Sequence, residues 1–251
     1  MQIAAKDVQV DYSAADGTLF RALGPVTMTV ESGTFVALLG PSGCGKSTLI
    51  RALAGLEPVS GGELRIDGRG INGPSVKVGV MFQDANLMPW RTVSQNVALP
   101  LELRHADLEK RAVAVKRVLE PLGLAEFGDV YPGQLSGGMA QRVALGRVLV
   151  QEPEVLLLDE PFGALDALNR EKISLDLLRI WAQRRQTVLM VTHDVNEAVL
   201  LSDRVFVMSQ RPGHIIADIP VDLERPRSPE MIYEASFVAI AREVRSAIDT
   251  A

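Results

Sequence analysis

The sequence predicts an α/β fold with a helical segment set into it, and three observations carry the prediction. Continuous apolar runs of strand length, such as "FVALL" at 35–39 and "VLLL" at 155–158, read as strands buried on both faces of a parallel sheet. Stretches with helical spacing alternate with them. From about Pro89 to residue 152, helical patterns follow one another with no strand candidate between them.

In chain order, "IAAKDVQVDY" and "GPVTMTVE" partly alternate and predict half-exposed strands at an N-terminal edge. "FVALL" is a buried strand ended by glycine, "KSTLIRALAGL" a helix closed by the turn "EPVSGG", "GELRIDG" a short strand, and "VKVGVMF" at 76–82 a third buried strand. "TVSQNVALPLEL" and "DLEKRAVAVKRVLEPLGL" predict helices, and a further helix is expected from Gly137 to Gln151. The core resumes with "EVLLLDEP", a helix over 167–184, the strand "TVLMVT", a helix from Asp194 and the strand "RVFVM". "HIIADIPV" reads as one more strand and 228–248 as a closing helix. The expected division is a single domain over 1–251. Within it, 1–87 and 153–220 form the α/β core, 88–152 a helical subdomain and 221–251 a helical tail.

A 47% apolar and 23% charged composition is that of a globular chain, and a net charge of -5 argues against nucleic acid as the main partner. One cysteine, Cys44, permits no internal disulfide and fits a reducing compartment. The stretch "MQIAAKDVQVDYS" has no basic start followed by an apolar core, so no signal peptide is expected, and no apolar run is long enough to span a bilayer. The expectation is a soluble chain that reaches a membrane only through a partner.

The strongest motif is "GPSGCGKS", Gly40 to Ser47, which matches G-x-x-x-x-G-K-[ST] between a predicted strand and a predicted helix. Gly40, Pro41, Ser42, Gly43, Cys44 and Gly45, continued by Lys46, Ser47 and Thr48, are candidates to wrap a triphosphate with backbone N–H groups. Lys46 would neutralise the β- and γ-phosphates and Ser47 would bind Mg²⁺. Cys44 reads either as a reactive thiol or as a small residue in a tight loop. Asp159 and Glu160 stand at the C-terminal end of an apolar strand, where open α/β sheets bind ligands. There Asp159 would hold the metal and Glu160 would polarise the attacking water. His193 follows the next strand and could hydrogen-bond the γ-phosphate. Gln83 ends the third buried strand, where its amide could reach Mg²⁺ and the water. Tyr12, near the end of the first strand, reads either as a base-stacking ring or as an edge aromatic. In "LSGGMAQR", residues 135–142, Ser136 can cap a helix and leave the N–H groups of Gly137 and Gly138 at the positive end of its dipole. That is a second anion site, and the residues alone do not say whose anion it takes.

The order of these motifs resembles the ATP-binding cassette ATPases. The elements are a phosphate loop, a glutamine after the third buried strand, "LSGG" before "LLLDEP", "ALD" after it, and a histidine closing the next strand. The resemblance runs from Tyr12 to about residue 220. It implies a P-loop NTPase (RecA-like) core with N-terminal antiparallel β-strands and an inserted helical subdomain. "FQDANLMPWRTVSQNVALPLEL", "DEPFGALDALNR" and "RPGHIIADIPVDLERPR" resemble the nitrate/sulfonate/taurine branch of bacterial importers. The resemblance further implies a head-to-tail dimer of two copies in which ATP and Mg²⁺ on one chain are met by Leu135, Ser136, Gly137, Gly138 and Met139 of the other. Asp166 then lies at the dimer seam, and Gln83 begins a loop that senses an integral membrane permease. A periplasmic or lipoprotein substrate-binding protein acts indirectly, and the chain sits peripherally on the cytoplasmic face of the inner membrane. "LMPW", Leu87 to Trp90, reads either as the lining of a groove for the permease or as core packing.

Three residues depart from the wider family or from helix chemistry. Met139 stands where the family at large has glutamine, although Met is familiar in this branch. Ala140 replaces a more usual basic residue. Gly146 lies inside a predicted helix, where glycine costs roughly 1 kcal/mol relative to alanine. The resulting expectation is an ATPase that drives import of a small solute such as nitrate or taurine. Beside a non-catalytic regulatory cassette, against which the intact Lys46, Asp159, Glu160 and His193 argue, two rival readings differ from it. One is a soluble cassette ATPase, as in cluster assembly. The other is a small-molecule kinase, for which no arginine-bearing lid is visible and "LSGG" has no use.

Overall fold

In the computed structural model, residues 1–13, 17–163 and 165–250 are described. Two sheets organise the chain. The first is antiparallel and contains β1 (Ile3–Ser13), β2 (Leu19–Val30), β4 (Gly61–Ile66) and β5 (Arg69–Gly70), in the order β2-β1-β4-β5. The second contains β3 (Phe35–Leu39), β6 (Val78–Met81), β7 (Val155–Asp159), β8 (Thr187–Val191), β9 (Arg204–Met208) and β10 (Ile215–Pro220). Its order is β10-β9-β3-β8-β7-β6. All its neighbours pair in parallel except β10, which runs antiparallel to β9.

The continuous apolar runs are explained by two-sided burial, since every residue of β3, β7 and β8 is buried. Alternate residues of β3 serve different layers. Val36 and Leu38 pack with β1, β2 and the helix α1 (Lys46–Leu53). Phe35 faces the helices on the other side, edge-on to Trp181 at a centroid distance of 5.7 Å. Ala37 and Leu39 join α6 (Val195–Leu201) and α7 (Ala235–Asp249). Fully burying each such large side chain stabilises the fold by about 1.5–3 kcal/mol.

No strand lies between residues 89 and 152 among the described residues. Instead α2 (Val93–Leu103), α3 (Leu108–Leu119) and α4 (Gly137–Leu149) pack together. Thr92 and Gln95 form a reciprocal capping box at the start of α2, and Asp107 caps α3. Gly146 now has a cause: a Cβ there would lie 3.1–3.3 Å from methyl carbons of Leu122, Val118 and Val97. Helix α5 (Ala167–Arg184) places Ile173, Leu177, Leu178 and Trp181 in the same core as Phe35, Leu156 and Leu158 of the sheet.

Some boundaries differ from expectation. β2 begins at Leu19, well before "GPVTMTVE", and its pairing with β1 shifts register three times, which blurs alternation. The closing helix begins at Ala235, not 228. Residues Pro229–Tyr233 form a 3₁₀ turn instead, because Glu234 is extended at φ −76, ψ 146 and interrupts the helical path. Before that turn, the Arg227 guanidinium donates to the carbonyls of Val199, Leu200, Ser202, Val221 and Leu223. It thereby closes the C-terminal end of α6. Burial, the first cause, and neighbouring Arg225 lower its pKa to about 10.

Candidate active site

The adjacency of β3, β8 and β7 decides where the chemistry can lie, because the C-terminal ends of neighbouring parallel strands open on the same side. After β3 the chain turns through Gly40–Gly45 into α1. Gly43 has φ +78 with open space where a Cβ would stand, and at Gly45 (φ +110) a Cβ would meet the Ala22 carbonyl oxygen at 2.8 Å. Both positions favour glycine. Lys46 is 7% exposed, and its Nζ donates to the carbonyls of Gly40 and Pro41 at 2.8 Å each and lies 3.8 Å from Cys44 Sγ. The ammonium is thus held over the loop that precedes it. Thr48 is buried, Ser42 exposed, and Cys44 is a buried free thiol in the loop.

Asp159 ends β7 and is buried. Burial pushes its carboxyl above the usual range. The Ser47 hydroxyl hydrogen bond pulls it down, the neighbouring Glu160 charge raises it, and Arg51 and Lys46 lower it. Ser47 and Asp159 therefore offer one hydroxyl and one carboxylate at a single point. That oxygen pair suits a small hard cation that keeps waters and phosphate oxygens in its shell. Among the described residues no group of three or more His, Cys, Asp or Glu side chains could cage a metal unaided.

Glu160 has φ +46, a conformation that costs a non-glycine residue about 1–3 kcal/mol and must be held by its surroundings. Its N–H donates to Val191 O at 3.0 Å, which ties the residue to the end of β8. Two residues on, His193 Nδ1 lies 3.1 Å from Glu160 Oε2. The structure thus brings Lys46, Ser47, Asp159, Glu160 and His193 to three adjacent strand ends.

Gln83 lies two residues past β6, not at its end, and is exposed. Its carbonyl accepts from Gln141 Nε2 at 2.8 Å, and Arg147 donates to the carbonyls of Ala85 at 2.7 Å and Asn86 at 2.8 Å. Burial lowers the Arg147 pKa. Helix α4 therefore clasps the Gln83 loop through two residues that sequence reasoning missed; the only signal was polar side chains at buried and half-buried positions of an apolar helix. Tyr12 is half-buried and packs on Phe20, rings 5.8 Å apart and tilted by 46°.

Ser136 caps α4, its Oγ accepting from Met139 N at 3.3 Å. Ser136 and Gly137 are exposed and Gly138 is half-buried. Among the described residues, no hydrogen bond or ion pair joins 135–139 to the loop at 40–48. Leu135 and Met139 pack against the helical core, which gives Met139 an apolar environment in place of an amide's partners. Asp166 caps α5, accepting from Asn169 N at 3.0 Å and Nδ2 at 2.6 Å. In "LMPW", Leu87 packs on the core, Asn96 bonds both backbone groups of Met88, and Trp90 is 71% exposed.

Residues 23–163 match the family described as ABC transporter. The chain belongs to the ABC transporter family. The aliphatic sulfonates import ATP-binding protein of Bacillus licheniformis is 46% identical to this ABC ATPase over 82% of the chain and 80% of that protein. The bicarbonate transport ATP-binding protein of Synechocystis is 42% identical over 96% of the chain, which spans 37% of that longer protein. A dimeric ATP-binding cassette solved in a post-hydrolysis state with ADP and Pi superposes with a TM-score of 0.78 at 31% identity, covering 88% of this chain and all of that one. The ATPase has no helix, among its described residues, long and apolar enough to cross a membrane.

Proposed function

We propose that this ABC ATPase is the ATP-hydrolysing subunit of an importer, working as a head-to-tail pair and driving uptake of a small solute through a separate permease. The observation that carries the reading is the convergence of Lys46, Asp159, Glu160 and His193, taken together with a capped, exposed Ser136–Gly137 turn that, among the described residues, makes no hydrogen bond to its own phosphate loop. The loop Gly40–Gly45 with Lys46 to Thr48 binds the triphosphate, and Tyr12 stacks on the base. Ser47, Asp159 and Gln83 would hold Mg²⁺, which supplies charge neutralisation at the phosphates when bound. Glu160 accepts the proton of the attacking water, and His193 fixes Glu160 and donates toward the γ-phosphate. Ser136, Gly137 and Gly138 of the second copy add donors to the same phosphate, so a closed pair is favoured only while that charge is present. Asp166 lies at the seam.

The import and transport ATP-binding proteins it resembles support the importer reading; a peripheral place on the cytoplasmic face and an indirect dependence on a substrate-binding protein are part of the same proposal. Nitrate, an organic sulfonate such as taurine, or a similar small solute is the proposed class of cargo. The test is purification from membranes in mild detergent, followed by reconstitution of the complex in vesicles with labelled taurine, nitrate and bicarbonate. ATP-dependent uptake that disappears with Glu160→Gln is expected. An ATPase rate unaffected by any copurifying membrane protein would sink the importer reading and favour a soluble cassette.

A further inference from the structure

His193 is flanked by two residues that belong to one closed polar cluster. The Asp194 N–H donates to Thr192 Oγ1 at 3.1 Å, and Asp194 Oδ1 accepts from Glu197 N at 3.0 Å. Thr192 donates to Glu197 Oε2, and Ser174 Oγ donates to Glu197 Oε1 at 3.4 Å. Glu197 is 8% exposed. A guanidinium from α5 holds the cluster from outside. Arg170 NH1 bonds Asp194 Oδ2 at 3.3 Å, while its NH2 donates to the Leu165 carbonyl at 3.1 Å. Leu165 is buried, and its Cδ2 stands 3.2 Å from where a Cβ on Gly138 would lie. Gly138 thus neighbours Leu165, whose carbonyl Arg170 bonds; Arg170 also holds Asp194, the residue that follows His193, and the His193 ring meets Glu160.

We propose that Arg170 is a positioning residue that sets His193 against Glu160 and ties that setting to the seating of the Gly138 turn. The proposal rests on the head-to-tail reading, in which Gly138 meets the other copy's nucleotide. Under it, engagement of the Ser136–Gly138 turn would strengthen the hold on a pair that already stands at 3.1 Å in the single chain. Two hydrolysis events are then linked without any shared ligand. Arginine suits the role because its planar fork reaches two acceptors at once, one a carboxylate and one a carbonyl on a different loop, which a lysine ammonium cannot span in the same way. Such a chain of packed and hydrogen-bonded groups is a physical route for coupling only if its perturbation moves the far end.

The experiment compares Arg170→Met and Arg170→Lys with the wild-type chain. Readouts are the Kd for a fluorescent ATP analogue, the rate of radiolabelled phosphate release, and the thermal midpoint. The expected result is an unchanged Kd and a kcat lower by about 10- to 100-fold in Arg170→Met, with partial recovery in Arg170→Lys. In a His193→Ala background, Arg170→Met should cost nothing further, because both act at one point. An unchanged kcat, or losses of Kd, midpoint and kcat together that add fully to His193→Ala, would overturn the proposal in favour of a plain scaffold role. The Glu160→Gln chain, run with ATP on gel filtration, separates the two levels. If it dimerises while Arg170→Met hydrolyses normally, the relay fails alone; if it stays monomeric, the dimer reading fails and takes the Gly138 arm with it.

Discussion

Replacing Glu160 by Gln tests the centre of the mechanism with little structural disturbance. The amide matches the carboxylate in shape and can keep the 3.1 Å contact with His193 Nδ1. Glutamine also tolerates φ +46 no worse than glutamate does, so the strained backbone is unchanged. What disappears is basicity, and with it the general-base contribution of about 10²–10⁴ in rate. That range corresponds to about 2.7–5.4 kcal/mol of barrier at 1.36 kcal/mol per decade. Ground-state binding should move the other way. Removing the Glu160 negative charge from beside the phosphate site lessens repulsion of a triphosphate, so nucleotide affinity should be equal or higher while turnover falls at least 100-fold. The assay is phosphate release paired with gel filtration in ATP, where the variant should run as a dimer. A variant that keeps a tenth or more of the wild-type rate would refute the assignment of Glu160 as the base.

Lys46→Ala should abolish nucleotide binding at micromolar concentrations, as read by titration with a fluorescent analogue; an unchanged Kd removes Lys46 from the site. Ser136→Arg should leave that Kd near wild type yet eliminate hydrolysis, and equal loss of both would mean the turn serves its own chain. Glu197→Gln bears on pH. Burial, the largest cause, raises the Glu197 carboxyl above 4.5, so the folded state holds a proton that the unfolded chain releases. The wild type should then lose stability relative to Glu197→Gln as pH rises from 4.5 toward the folded value, measured as the difference between their melting midpoints; parallel midpoints across that window contradict it. Gly146→Ala gains about 1 kcal/mol of helix propensity but pushes against three methyls and costs about 1–3 kcal/mol by overpacking. A lowered midpoint is expected, and a raised one would show that Leu122, Val118 and Val97 give way.

What the sequence made legible follows from what each signal physically is. Strands buried on both faces announce themselves as unbroken apolar runs, so β3, β7 and β8 could be read directly. The residues just beyond their ends, Glu160 and His193, inherited a location from them. The phosphate loop was legible because glycine spacing encodes backbone geometry. By contrast, Gln141, Arg147 and Arg170 bond carbonyl oxygens of other loops, and a carbonyl has no letter in the sequence. Met139 has no amide to offer a phosphate, and its side chain packs on the helical core instead. The first half of β2 was missed because shifted register erases the period of two. The segment 228–234 was misassigned because apolar spacing continued through a residue whose backbone is extended.

Arg227 bears on how this protein could be cut. The family match ends at residue 163 and the nucleotide-site motifs at His193, so a truncation guided by these and by the last strand of the sheet would stop at Val221. Such a cut would strip the guanidinium from the carbonyls of Val199, Leu200 and Ser202, at the end of the helix that begins beside His193. The smallest fragment that keeps that helix closed at its far end must therefore run through Arg227, past every nucleotide-site motif and the last strand of the sheet.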